Sequence, residues 1–206
     1  MGRAYSPTQV LNMKKKVLQL EGEWYEAFGT PERVGMWFIY GDSGNGKTSF
    51  IIQLALEFSN HGKVLIDSME EGLSLSMQNH IRRHNLHEAS RRIKFLDCDP
   101  IEEVSERLLK PKSPDFVIID SFQHSQLTYK AYLAFKAKHR NKLIIFISQV
   151  DGHQPAGRSA KRVMFDASLK IWVEGYRAIS KGRFIGPRGY YTIWAEGAER
   201  YGWKDE

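Results

Sequence analysis

The chain has 206 residues, 42% of them hydrophobic and 26% charged, with a formal net charge of +6. That is material for one sizeable α/β domain with its own core, and it excludes a disordered, collagenous or disulfide-stapled chain. No apolar run approaches the roughly 18 residues of a membrane span, so a cytoplasmic location away from the membrane is expected.

At the start, Gly2 with Ser6 fits the short myristoylation pattern. Ser6-Pro7-Thr8-Gln9 reads as a helix start: Ser caps, Pro takes the first helical position and Gln closes a capping box. Residues 1–16 are expected to form an N-terminal arm or helix, and 17–206 the main domain. Val17–Leu20 reads as a strand and Trp24–Phe28 as a short helix, with a break at Gly29-Thr30-Pro31.

From there the chain alternates. Strands are expected at Trp37–Tyr40, Lys63–Asp67, Ile93–Leu96, Phe116–Ile119 and Leu143–Ile147. Helices are expected at Thr48–Asn60, Leu73–His84, Ile101–Leu109 and Gln126–Lys138. Short runs that are apolar on both faces belong to a parallel sheet covered by helices. The β-α-β order predicts a doubly wound, mainly parallel sheet with helices on both faces. Cys98, the lone cysteine, is expected as a partly buried thiol at a strand end. Asp151–Arg162 reads as a polar, basic loop. Leu169–Val173, Tyr176–Lys181 and Tyr190–Trp194 read as strands extending the sheet, the last two as a C-terminal β hairpin.

Four places carry chemistry. Gly41-Asp42-Ser43-Gly44-Asn45-Gly46-Lys47-Thr48 fits G-x-x-x-x-G-K-[ST], between an apolar strand and a helix, with Ser49 next in line. Glycines let backbone N–H groups wrap phosphate oxygens, Lys47 reaches the β and γ phosphates, and Thr48 ligates Mg²⁺. The helix that follows turns its positive end to the anion. ATP and Mg²⁺ are the expected cofactors. Asp120 ends a buried strand, the Walker-B place for a carboxylate that orients the Mg²⁺ shell. Glu70 and Glu71 follow the second strand, where a carboxylate can orient an attacking water. Gln149 follows the strand Leu143–Ile147, where an amide can sense the γ-phosphate.

In this order the parts resemble the RecA-like core of the RecA, RadA, KaiC and DnaB families, over roughly residues 15–202. Val64–Glu71 looks like the strand-to-acid-pair segment of RadA and KaiC, which puts Glu70 on the catalytic glutamate and Glu71 on the second acid. Against RecA the register differs by one residue, so Glu70 and Glu71 both stand. Asp120-Ser121 matches the family's Walker-B pair and Gln149 its phosphate-sensing glutamine. Asp166–Ile171 is similar to a segment of replicative helicases. The resemblance implies that Lys181 and Arg183 reach the γ-phosphate of a neighbouring subunit, and hence a homo-oligomeric ring or filament. It also implies DNA contact, single- or double-stranded, near Arg158, Lys161 and Arg162. The pattern looks closest to small RecA-like ATPases of phages and mobile elements.

The expectation is an ATP-hydrolysing, DNA-associated oligomer in recombination, repair or replication. The alternative is a regulatory KaiC-like ATPase that does not act on DNA. A GTPase fits poorly: Asn141-Lys142-Leu143-Ile144 begins like the guanine motif but places Ile where Asp must stand. A small-molecule kinase fits poorly too, since no Arg-rich lid follows the Walker-B strand. Arg82-Arg83 with Arg91-Arg92 reads as a solvated basic face, and Lys14-Lys15-Lys16 as part of the arm.

Overall fold

The computed structural model describes residues 3–204; Met1, Gly2, Asp205 and Glu206 lie outside them, so Gly2 of the acylation pattern does too. The chain opens with helix α1 (Pro7–Leu11), whose Ser6 and Gln9 form the reciprocal capping box read from the sequence. No residue of α1 is buried. Helix α2 (Gly22–Phe28) follows and buries Ala27 and Phe28.

Alternation then begins: β1 (Gly35–Tyr40), α3 (Lys47–His61), β2 (Val64–Ser68), α4 (Leu75–Arg83), β3 (Ile93–Leu96), α5 (Ile101–Leu109), β4 (Phe116–Asp120), α6 (Tyr129–Lys138) and β5 (Leu143–Ser148). A two-stranded ribbon, β6 (Val150–Asp151) and β7 (Gln154–Pro155), leads into α7 (Arg158–Asp166). The chain closes with β8 (Leu169–Glu174), β9 (Arg177–Gly182), β10 (Tyr190–Thr192) and α8 (Ala195–Tyr201).

The main sheet has eight strands in the order β10-β9-β8-β1-β5-β4-β2-β3. From β8 to β3 every pairing is parallel, and β9 and β10 add antiparallel strands at one edge. Alternation along β1 divides the core. Trp37 and Ile39 pack with Phe50, Leu54 and Phe58 of α3. Met36, Phe38 and Tyr40 pack with α5, α6 and α7 on the other face. Burying each such side chain contributes about 1.5–3 kcal/mol. The two clusters hold the sheet between helical layers, with the carboxyl ends of β1, β2, β4 and β5 together at one end.

Three expectations need correction. Val17–Leu20 is not a strand but makes a single bridge, Val17 to Glu32. Leu18 donates its N–H to the Pro31 carbonyl at 2.8 Å, and Pro31 has no N–H with which to continue a ladder. Residues 151–162 are not one loop: the ribbon and most of α7 occupy them, because Ala160, Val163 and Met164 bury one side of a helix. Cys98 is exposed rather than partly buried, just beyond β3, and its Sγ donates to the Ser68 carbonyl at 3.2 Å. Among the described residues no helix is long and apolar enough to cross a membrane.

Candidate nucleotide site

The loop Gly41–Gly46 leaves β1 and turns into α3. Gly46 is the N-cap of α3 with φ +97°, a left-handed conformation that favours glycine. Gly41 has no room for a side chain: a Cβ there would strike the Val173 carbonyl of β8. Asn45 Oδ1 accepts the Gly175 N–H at 2.7 Å, which anchors the loop to the β8–β9 turn. The first N–H groups of α3 lack intrahelical acceptors and carry the positive end of its dipole.

Above this loop lies a cavity of about 940 Å³. Gly41, Asp42, Ser43, Gly44, Gly46, Lys47, Thr48 and Ser49 line it, and Glu70, Glu71, Asp120 and Gln149 line it too. Four separate strand ends therefore deliver to one cavity the groups that the sequence points to. Asn45 is not among its walls; its side chain anchors the loop instead. Neither Lys181 and Arg183 nor Arg158, Lys161 and Arg162 line the cavity. Lys181 Nζ sits 5.9 Å from the Trp172 ring centroid, and the charge of Arg183 acts on Asp166.

Lys47 Nζ donates to the carbonyls of Gly41 and Asp42, each at 2.8 Å. Burial lowers its pKa, against the pull of Asp120, Glu70 and Asp42. Asp120 ends β4, level with Ser68 of β2. Burial, then the charge of Glu70, pushes its carboxyl up to about 7, against the pull of Lys47. Glu70 is fixed by its backbone N–H, which donates to the Asp120 carbonyl at 3.0 Å. Its Oε1 accepts from Gln149 Nε2 at 2.9 Å. The Gln149 N–H donates to Gln123 Oε1 at 3.3 Å, while Gln123 Nε2 donates to Ser148 Oγ at 2.8 Å and to the Ala156 carbonyl at 2.9 Å. Gln123 thus ties the loop after β4, the end of β5 and the ribbon into one unit.

Sequence reasoning missed the remaining walls. His80, Arg83 and His84 come from the C-terminal end of α4, and Tyr176, Ile193 and Trp194 from the edge strands. Arg83, expected on a solvated face, lines the cavity. His80 and His84 are both lowered in pKa, mainly by burial. Tyr176 and Trp194 meet edge to face with centroids 5.0 Å apart. The one signal for them was an aromatic pair flanking the predicted C-terminal hairpin strands.

The donors suit a hard cation beside a polyphosphate. Glu70, Glu71 and Asp120 crowd the cavity with Lys47 to offset them, and burial together with their repulsion holds the Asp120 proton. Among the described residues no three His, Cys, Asp or Glu side chains converge as a cage. Mg²⁺ needs none, since one or two protein oxygens, phosphates and water complete its shell. Thr48 and Asp120 supply such oxygens.

No family model matches the chain, and no curated protein matches it in sequence. Solved structures do match. The chain is 17% identical to the ATPase domain of a DnaB-like protein, with a TM-score of 0.55, over 77% of this chain and 80% of that one. It is 16% identical to the flagellar accessory protein FlaH from Methanocaldococcus jannaschii, with a TM-score of 0.57, over 86% of this chain and 92% of that one. It is also 16% identical to the KaiC-like protein PH0186 from Pyrococcus horikoshii, with a TM-score of 0.54, over 78% of this chain and 89% of that one. What these proteins share with the chain is its layered sheet with the phosphate loop at the carboxyl ends of the strands. The fold is that of the RecA-like P-loop ATPases.

Proposed function

We propose that the chain binds ATP with Mg²⁺ and hydrolyses it to ADP and phosphate. One observation carries the reading: Lys47, Thr48, Glu70, Asp120 and Gln149, from separate elements, line a single cavity above the loop. The N–H groups of the loop and of the first turn of α3 cradle the phosphates. Lys47 leaves its two carbonyl acceptors for the β and γ phosphates. Thr48 and Asp120 hold Mg²⁺, which when bound draws charge from the phosphate oxygens. Glu70 orients a water and takes its proton as the water oxygen attacks the γ phosphorus and the bond to the bridging oxygen breaks. The Glu70–Gln149 hydrogen bond supports Glu70 over Glu71 as that acid. Gln149 senses the γ-phosphate. The nucleobase fits between the Tyr176–Trp194 pair and the His80 and Arg83 side of the cavity.

The same reading makes the chain one subunit of a ring or filament. Lys181 and Arg183 stand away from their own cavity, and we assign them to a neighbour's γ-phosphate, where they offset charge on the transferring group. It also makes the oligomer DNA-associated, in recombination, repair or replication, with the +6 charge and the basic residues of α7 in support. The test is ATP turnover with and without single- and double-stranded DNA, alongside the mass of the assembly with a non-hydrolysable nucleotide. Turnover that rises with DNA supports the reading. A flat rate from low to moderate salt favours a regulatory ATPase of the KaiC kind, and no turnover at all removes the enzyme assignment.

A further inference from the structure

Helix α7 has two unlike sides. Ala160, Val163 and Met164 are buried. Arg158, Lys161, Arg162 and Phe165, spaced i, i+3, i+4 and i+7, are exposed and so share the opposite side. Phe165 is 72% exposed, more than any other aromatic residue among those described. Arg162 is steadied by Tyr129 of α6, with the guanidinium carbon 4.0 Å from the ring centroid. The one carboxylate of the helix does not offset these cations. Asp166 accepts from Lys136 Nζ at 2.6 Å and from the Tyr132 hydroxyl at 2.5 Å, turned toward α6.

We propose that this side of α7 docks single-stranded nucleic acid, with the three cations on phosphates and Phe165 stacked on a base. The inference deepens the DNA-associated reading above and rests on it. Three cations and no free acid suit a polyanion; a second copy of a chain carrying +6 offers poorer complementarity. An exposed ring needs an exposed base face, which a single strand presents and a duplex hides in its stack. The face is also wired to the nucleotide. Ala156, two residues before α7, is held by Gln123, which in turn holds the Gln149 N–H.

The experiment is fluorescence anisotropy of labelled oligodeoxythymidylate, oligouridylate and a DNA duplex, titrated with the full chain across a salt series. Phe165→Ala is expected to weaken single-strand binding roughly 5- to 100-fold, the range of one base–aromatic stack, with little effect on the duplex. Phe165→Trp should retain binding, and its fluorescence should be quenched by the oligonucleotide. Lys161→Ala should lower the salt slope by about 0.7. Sedimentation and circular dichroism of Phe165→Ala should match the wild type. If the wild type binds single strands and Phe165→Ala binds equally well, the inference fails and the DNA-associated reading survives. A wild type that binds no nucleic acid at low salt removes both. A Phe165→Ala protein that changes its assembly mass while binding normally gives this face to a copy contact, and overturns the inference.

Discussion

Gln123→Ala is the substitution that best separates site geometry from phosphate binding. Gln123 makes hydrogen bonds at 2.8, 2.9 and 3.3 Å to Ser148, Ala156 and Gln149. A typical bond contributes about 0.5–1.5 kcal/mol net, so losing two good ones and one long one costs about 2–3 kcal/mol. In a chain of this length that lowers Tm by about 4–10 °C. The catalytic effect works through Gln149, whose N–H loses its acceptor while its amide still reaches for Glu70. A displaced amide loosens the water-orienting acid but leaves the loop from Gly41 to Thr48 untouched. We expect kcat to fall about 10- to 100-fold with KM for ATP within about threefold. Gln123→Glu keeps the acceptor for Gln149 and loses both donated bonds, so it should fall between wild type and Ala in kcat. Calorimetry and phosphate-release kinetics read both effects. An unchanged Tm and kcat would show that these bonds carry nothing, and a rise in KM without loss of kcat would place Gln123 in nucleotide binding instead.

Other substitutions test the remaining parts. Lys47→Ala should weaken ATP binding at least 10-fold by calorimetric titration, because the one cation of the cavity floor goes; normal binding would remove the P-loop assignment. Asp120 gives a pH test. Its folded pKa of about 7 lies above the ordinary carboxylate value, so the folded state holds the extra proton between about pH 4 and 7. The free protein therefore loses stability from this group as pH rises through that window, and the cost is complete above it. Mg²⁺ pairs with the anion, so the Tm gain from MgADP should be larger at pH 8 than at pH 6, and Asp120→Asn should shrink that difference. An equal difference in both proteins contradicts the assignment. Mixing Arg183→Ala with Glu70→Gln should restore part of the turnover if each site draws on two chains; no recovery at any ratio places Arg183 outside the site.

The sheet was legible because its strands are apolar on both faces. Phe116–Ile119 and Leu143–Ile147 allow no other placement in a chain of this size, and their ends carry Asp120 and Gln149. The loop from Gly41 to Thr48 was legible because its glycines and Lys47 have few structural uses besides phosphate. Helix α7 was not. Its N-cap is Gly157, which offers no capping side chain, and its exposed side is as basic as a solvated loop. The spacing of Ala160, Val163 and Met164 was the available clue. The walls from α4 and the edge strands were hidden for another reason. His80, Arg83, Tyr176 and Trp194 reach the cavity only through the packing of α4 and the β9–β10 edge around α3, and no local pattern encodes that meeting.

The account stands on Glu70 as the acid that turns a bound nucleotide into a hydrolysed one. Parallel measurement of ATP binding and steady-state turnover for Glu70→Gln and Glu71→Gln tests it most directly. Glu70→Gln should bind ATP at least as well as the wild type and turn it over about 10²- to 10⁴-fold more slowly, while Glu71→Gln keeps most of the rate. Full turnover by Glu70→Gln, with the loss appearing in Glu71→Gln instead, would contradict the geometry that joins Glu70 to Gln149.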